Sequence, residues 1–109
     1  MSQGRRSRNK GANGEREVAK ILNQYGFNGE RNARNGLSKE DVAHTINGVH
    51  IEVKRSEKIL LPQWLRQAEE DCGEKHPMVV FRQSRQPWRA VVGFEWLLGV
   101  INEEPKKQP

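Results

Sequence analysis

Asn47-Gly48 sits between two β-rich runs, DVAHTI (Asp41–Ile46) and VHIEVKR (Val49–Arg55), and this dipeptide constrains the fold more than any other stretch. Asn-Gly supplies the positive φ angles that a two-residue hairpin turn requires, so the pair predicts an antiparallel hairpin. In the tightest register Ile46 pairs with Val49, and the pairing runs back to Asp41 opposite Lys54. Side chains alternate between the faces of a strand, and directly paired residues share a face. One face then collects Val42, His44, Ile46, Val49, Ile51 and Val53, with His44 the single polar member. The other collects Asp41, Ala43, Thr45, His50, Glu52 and Lys54. Burying the aliphatic face thus brings two carboxylates and a lysine together on the opposite side.

Around this hairpin the pattern predicts a mixed α/β domain in the order α-β-β-β-α-β-β-α, a central sheet flanked by helices. NGEREVAKILNQY carries Val18, Ile21, Leu22 and Tyr25 on one helical stripe, with Asn13 as N-cap and Gly26 as terminator. A short strand follows near Phe27–Arg31, then a polar loop. LPQWLRQAEEDCG reads as a helix opened by Pro62 and closed by Gly73. PMVVFRQ and WRAVVGF read as strands joined by SRQP, and EWLLGVI as a terminal helix. With 109 residues the chain reads as one domain, residues 13–102, between a flexible basic arm (1–12) and a flexible tail (103–109).

Nineteen Lys and Arg against fourteen Asp and Glu leave a net charge of +5, which suits a polyanion such as nucleic acid and also serves solubility. The single cysteine, Cys72, rules out an internal disulfide, and the three histidines lack zinc-ligand spacing. No apolar run nears the ~20 residues of a membrane span, and the N-terminus has no apolar signal core, so a cytoplasmic, intracellular protein without membrane contact is expected. The tryptophans Trp64, Trp88 and Trp96 read as partly buried core, or as surfaces for stacking on bases or a partner.

Asp41 and Glu52 beside Lys54 have the composition of a divalent-metal phosphodiesterase site. Carboxylate oxygens are hard ligands suited to Mg²⁺, and a lysine can orient water and offset charge near a phosphate. An ordinary half-exposed strand also reads acid, apolar, lysine, and a surface Glu–Lys pair contributes little to stability. Glu15 and Glu17 open the first helix; Glu15 lies nearer the middle of its apolar stripe, where it either complements the helix dipole or completes a metal site.

Four segments taken together, KGANGEREVAKILNQYGF, ERNARNG, DVA and IEVKRS, resemble the archaeal-type Holliday-junction resolvases, cellular or phage-borne, of the PD-(D/E)xK restriction-endonuclease-like superfamily. The resemblance covers residues 10–56 well and continues more loosely through WRAVVGF. It implies a restriction-endonuclease-like fold and a metal-dependent DNA endonuclease. It also implies a homodimer whose two sites cut opposed strands of a four-way junction with Mg²⁺ or Mn²⁺. By position, Glu15, Asp41 and Glu52 match metal-binding acids, the Val53 backbone carbonyl adds a ligand, and Lys54 matches the catalytic lysine. Arg16 and Arg31 match DNA-contacting positions, and Ser38 lies in a loop where the family often carries a functional serine. Arg34, Lys39 and Arg55 add charge beside that face, and Arg5, Arg6, Arg8 and Lys10 form a basic run suited to phosphates. Glu40 stands where the superfamily name has proline. Two alternatives remain open at this point. One is a nicking, repair or restriction-like nuclease of the same superfamily; the other is a non-catalytic nucleic-acid-binding module whose acids are structural.

Overall fold

The computed structural model describes the backbone of residues 3–32 and 40–103, and side chains from residue 9 onward. Eight elements follow one another: α1 (Gln3–Gln24), β1 (Glu30–Arg31), β2 (Val42–Ala43), β3 (Val49–Arg55), α2 (Leu61–Asp71), β4 (His76–Arg82), β5 (Arg89–Val91) and α3 (Phe94–Asn102). This is the order expected from the sequence, and the architecture is the expected mixed sheet flanked by helices.

β3, α2 and β4 form a β-α-β unit in which β3 and β4 run parallel, Val49 opposite His76 through Arg55 opposite Arg82. Parallel neighbours need a crossover connection, and α2 supplies it. Pro62 sits in the first turn of α2, where its missing N–H has no helical partner to lose. β5 adds antiparallel to β4, completing a three-stranded sheet in the order β3-β4-β5. β1 and β2 make a separate two-stranded antiparallel pair.

Alternation along β3 sorts its side chains as expected. Val49, Ile51 and Val53 join Val18 and Ala19 of α1 and Val42 of β2 in one buried cluster, with Met78 and Val80 of β4 packed against it. On the opposite face Val79 of β4 packs with Trp64 and Ala68 of α2, bordered by Phe81. β3 is therefore covered on both faces, and Val49 through Val53 are all buried. Each fully buried aliphatic side chain contributes about 1.5–3 kcal/mol.

Two expectations about local structure are corrected. α1 begins at Gln3, not at an N-cap on Asn13. Arg, Lys and Gln are good helix formers, and Lys10 reaches Glu57 at 3.3 Å, tying this end of the helix to the body of the protein. Asn13 lies inside the helix and accepts a bond from Arg16 at 3.0 Å.

The second correction concerns the hairpin. Asn47-Gly48 does form a turn, with Gly48 at φ +76°. Yet β2 is only two residues long and pairs with β1, while β3 pairs with β4. The ladder from Ile46–Val49 back to Asp41–Lys54 does not form, because side chains take its hydrogen bonds. Glu40 Oε2 accepts the Ile51 N–H at 2.9 Å, and Asp41 Oδ2 accepts the Val53 N–H at 2.7 Å. His44 Nδ1 accepts the Ile46 N–H at 3.0 Å. A single main-chain bond, Asp41 N–H to Ile51 carbonyl at 3.3 Å, links the two segments across that stretch.

Among the described residues no helix is long and apolar enough to cross a membrane. The expected C-terminal tail falls almost wholly on residues 104–109, outside the described residues.

Candidate active site

The edge of β3 that faces away from β4 positions the site. Asp41 enters it from the start of β2, its carboxylate fixed by the Val53 N–H. The N–H and C=O of one strand residue point to the same side, so the Val53 carbonyl also points toward Asp41 and away from β4. Glu52 and Lys54 project from the face that α2 covers, since their β4 partners are Val79 and Phe81. Asp41 therefore meets β3 near Ile51 and Val53 instead of pairing with Lys54, but it still lies beside Glu52.

Burial governs the electrostatics. Glu52 is 2% exposed. Loss of hydration and, to a smaller extent, the nearby Asp41 charge raise its pKa to about 7, after the lowering effect of the His50 hydrogen bond and of Lys54. His50 Nε2 lies 2.9 Å from Glu52 Oε1, a hydrogen bond that His50 donates when the carboxylate is ionised. Glu52 Oε2 takes no hydrogen bond from the described residues, and none of their buried side-chain oxygens is left without a partner. Oε2 therefore keeps contact with solvent. Lys54 Nζ donates to Gln67 of α2 at 2.9 Å.

Glu15 is buried in α1 and bound by Arg31 of β1 at 2.8 Å. Gly14 makes this approach possible: a Cβ there would lie 2.8 Å from the Arg55 Cβ and 3.3 Å from Trp88. Among the described residues no group of three His, Cys, Asp or Glu side chains is close enough to hold a metal ion. Glu15, Asp41 and Glu52 are thus not drawn into one three-carboxylate cluster. The donor set along the β3 edge is Asp41, Glu52 and the Val53 carbonyl, all oxygens. Two neighbouring carboxylates, one raised by burial and by the other's charge, suit a hard divalent cation, which would relieve both effects.

The basic residues expected to meet DNA have mixed surroundings. Lys10 and Arg55 both reach Glu57, at 3.3 and 3.0 Å, and Arg55 also reaches the Ser84 hydroxyl. The Ser84 hydroxyl bound to Glu57, with help from Arg55 and Lys10, holds the Glu57 carboxyl well below the usual range. Arg31 is committed to Glu15, while Arg16 is exposed and bonds Asn13 alone among the described side chains. Arg34, Ser38 and Lys39 lie outside the described residues, as do the side chains of Arg5, Arg6 and Arg8.

Sequence reasoning passed over several participants. Glu40 looked only like a missing proline, yet it is buried, accepts the Ile51 N–H and binds His44 Nε2. Because His44 Nδ1 accepts the Ile46 N–H, Nε2 carries the proton. This pairing explains a histidine on an apolar face. His50, which strand alternation places on the face of Glu52 and Lys54, is 3% exposed and lies against Glu52. Glu17 binds Arg82 and the Trp88 indole N–H, and Arg82 holds its carboxyl below the ordinary range.

Comparison with known proteins follows the same lines. The family model described as "Phage putative PDDEXK endonuclease" matches residues 6–107. The solved structure of Hjc from Archaeoglobus fulgidus, a Holliday junction resolvase from an archaeal hyperthermophile, is similar in fold with a TM-score of 0.53. The match is 23% identical and covers 76% of this chain and 72% of the Hjc chain. No curated protein matches the chain.

Proposed function

The chain belongs to the phage PD-(D/E)xK endonuclease family, and on that premise we propose that it is a metal-dependent, structure-selective DNA endonuclease that resolves four-way junctions. The observation that carries the proposal is that Asp41, bound to the edge of β3 away from β4, lies beside Glu52, with Lys54 on the same strand as Glu52. Fold similarity to a Holliday junction resolvase supports the choice of substrate.

Nucleases of this superfamily generally use divalent metals. Here Asp41, Glu52 and the Val53 carbonyl would hold Mg²⁺ or Mn²⁺, and Glu15, held by Arg31, would act from α1. When bound, the metal supplies Lewis acidity toward a phosphate oxygen and lowers the pKa of water. Lys54 orients the attacking water and offsets charge on the phosphate. Water oxygen forms the new bond to phosphorus and the P–O3′ bond breaks, leaving a 5′-phosphate and a 3′-hydroxyl. Arg16 and the basic residues of α1 hold flanking phosphates, and Arg34, Ser38 and Lys39 are assigned to the same task.

Symmetric cutting needs two sites, and a homodimer provides them. The surface of α3 supports this reading. Phe94, Leu97, Leu98 and Ile101 form an i, i+3, i+4, i+7 stripe, and all four are exposed, Phe94 by 72%. Cleavage of a four-way junction compared with linear duplex, flaps and single strands tests the substrate. Preferential, paired incision of the junction is expected; equal rates on all substrates would instead identify a nicking or repair nuclease.

A further inference from the structure

Glu52 is a buried carboxylate with one oxygen committed and one in solvent contact, and a single described side chain determines which is which. That side chain is His50. Its Nε2 lies 2.9 Å from Glu52 Oε1, and the two side chains are 4% and 3% exposed. Lys54 is not a competitor for this oxygen, because its ammonium is turned to Gln67. Nor is Asp41, which holds the Val53 N–H. The terminal torsion of a glutamate is soft and nearly two-fold, so a carboxylate without a fixed donor samples many orientations. A partner held in the strand two residues earlier removes that freedom and leaves Oε2 as the oxygen without a described hydrogen bond. The ring is itself buried, on a strand covered on both faces, with Pro77 as its β4 neighbour.

We propose that His50 is a positioning residue, which holds the Glu52 carboxylate in the orientation that binds the divalent cation. The proposal rests on the reading of Asp41 and Glu52 as the cation's holders, and assigns His50 no contact with DNA or water. Hydrogen bonds to ligating groups are commonly worth about 10–100-fold in metal affinity, and that is the loss expected here.

The test titrates Mn²⁺ into the full-length protein without DNA and follows free Mn²⁺ by electron paramagnetic resonance. It compares wild type, His50→Ala and His50→Gln, with thermal melts to establish folding. His50→Ala is expected to bind Mn²⁺ about 10–100-fold more weakly. His50→Gln, which keeps an N–H donor, is expected to recover most of that loss. Should His50→Ala not fold, His50→Leu fills the site without a donor and carries the same expectation. Cleavage by the alanine variant should need correspondingly more Mn²⁺ and approach the wild-type rate at saturation, while KM for DNA stays unchanged. If wild type binds Mn²⁺ and cuts DNA, but the donor-less variants bind it equally well, the role of His50 is refuted and the site reading stands. If glutamine behaves as badly as alanine, the hydrogen bond is not what matters and the proposal falls. If wild type itself binds no Mn²⁺, the site reading fails and takes this inference with it.

Discussion

At the scale of single residues the site depends on a carboxylate kept where carboxylates are unstable. Glu52 ionises near pH 7 in the folded protein and near 4.5 when free. Below pH ~4.5 it is protonated in both states and contributes no pH dependence. Between ~4.5 and ~7 the unfolded chain releases the proton first, so the folded state loses stability as pH rises. Above ~7 the full penalty remains. Glu52→Gln keeps an oxygen for His50 to bond and removes the charge. Its melting temperature in metal-free buffer should exceed that of wild type at pH 8, by the equivalent of about 1–3 kcal/mol, and the advantage should shrink toward zero at pH 4.5. A gain that is equal at both pH values would show that the charge of Glu52 is not what destabilises the site. Saturating Mg²⁺ should stabilise wild type more than the variant, because ligands stabilise the state they bind.

At the scale of elements, α1 carries Glu15 toward β3 only because residue 14 lacks a side chain. Gly14→Ala would place a Cβ 2.8 Å from that of Arg55, a stem atom with no freedom to swing away. The helix must then lift from the sheet, and overpacking of this kind destabilises by about 1–3 kcal/mol. Denaturant unfolding should show that loss, with cleavage reduced further through displaced Glu15; a neutral effect on both would mean that α1 approaches less closely. Much of this level was legible in the sequence. Pro62 and Gly73 mark the ends of α2, and the alternation of VHIEVKR gives the buried face of β3 correctly. The loss of the expected hairpin ladder was not legible, because Glu40, Asp41 and His44 satisfy backbone N–H groups with side-chain atoms, and no propensity anticipates such bonds. The same bonds explain why the carboxylates still converge on β3 in a register that the turn rule does not produce. Parallel pairing of β3 with β4 was equally hidden, since it joins residues about 27 apart whose relation depends on how α2 packs. The start of α1 was missed because glycine and clustered charge read as an arm, while its contact with Glu57 is distant in sequence.

At the scale of the whole molecule, the proposed function gives the apolar stripe of α3 and the edge of β3 complementary tasks: one would join two copies and the other would cut. A standard interface buries about 800 Å² per partner, so the stripe would form its centre and need a polar rim around it. Leu98→Lys should leave the fold intact, since Leu98 is 46% exposed. It should also shift the protein from dimer to monomer in sedimentation, and turn paired junction incision into single nicks. A variant that sediments as wild type does would remove α3 from the interface. The most direct test of the central claim is cleavage and binding of a four-way junction by wild type and Glu52→Gln side by side in Mg²⁺. The account predicts that the variant retains junction binding and loses cutting by at least ~10²-fold, as expected when a metal-holding group is removed. Cutting at the wild-type rate would contradict it, because Glu52 would then be an ordinary buried acid and the edge of β3 would not be the active site.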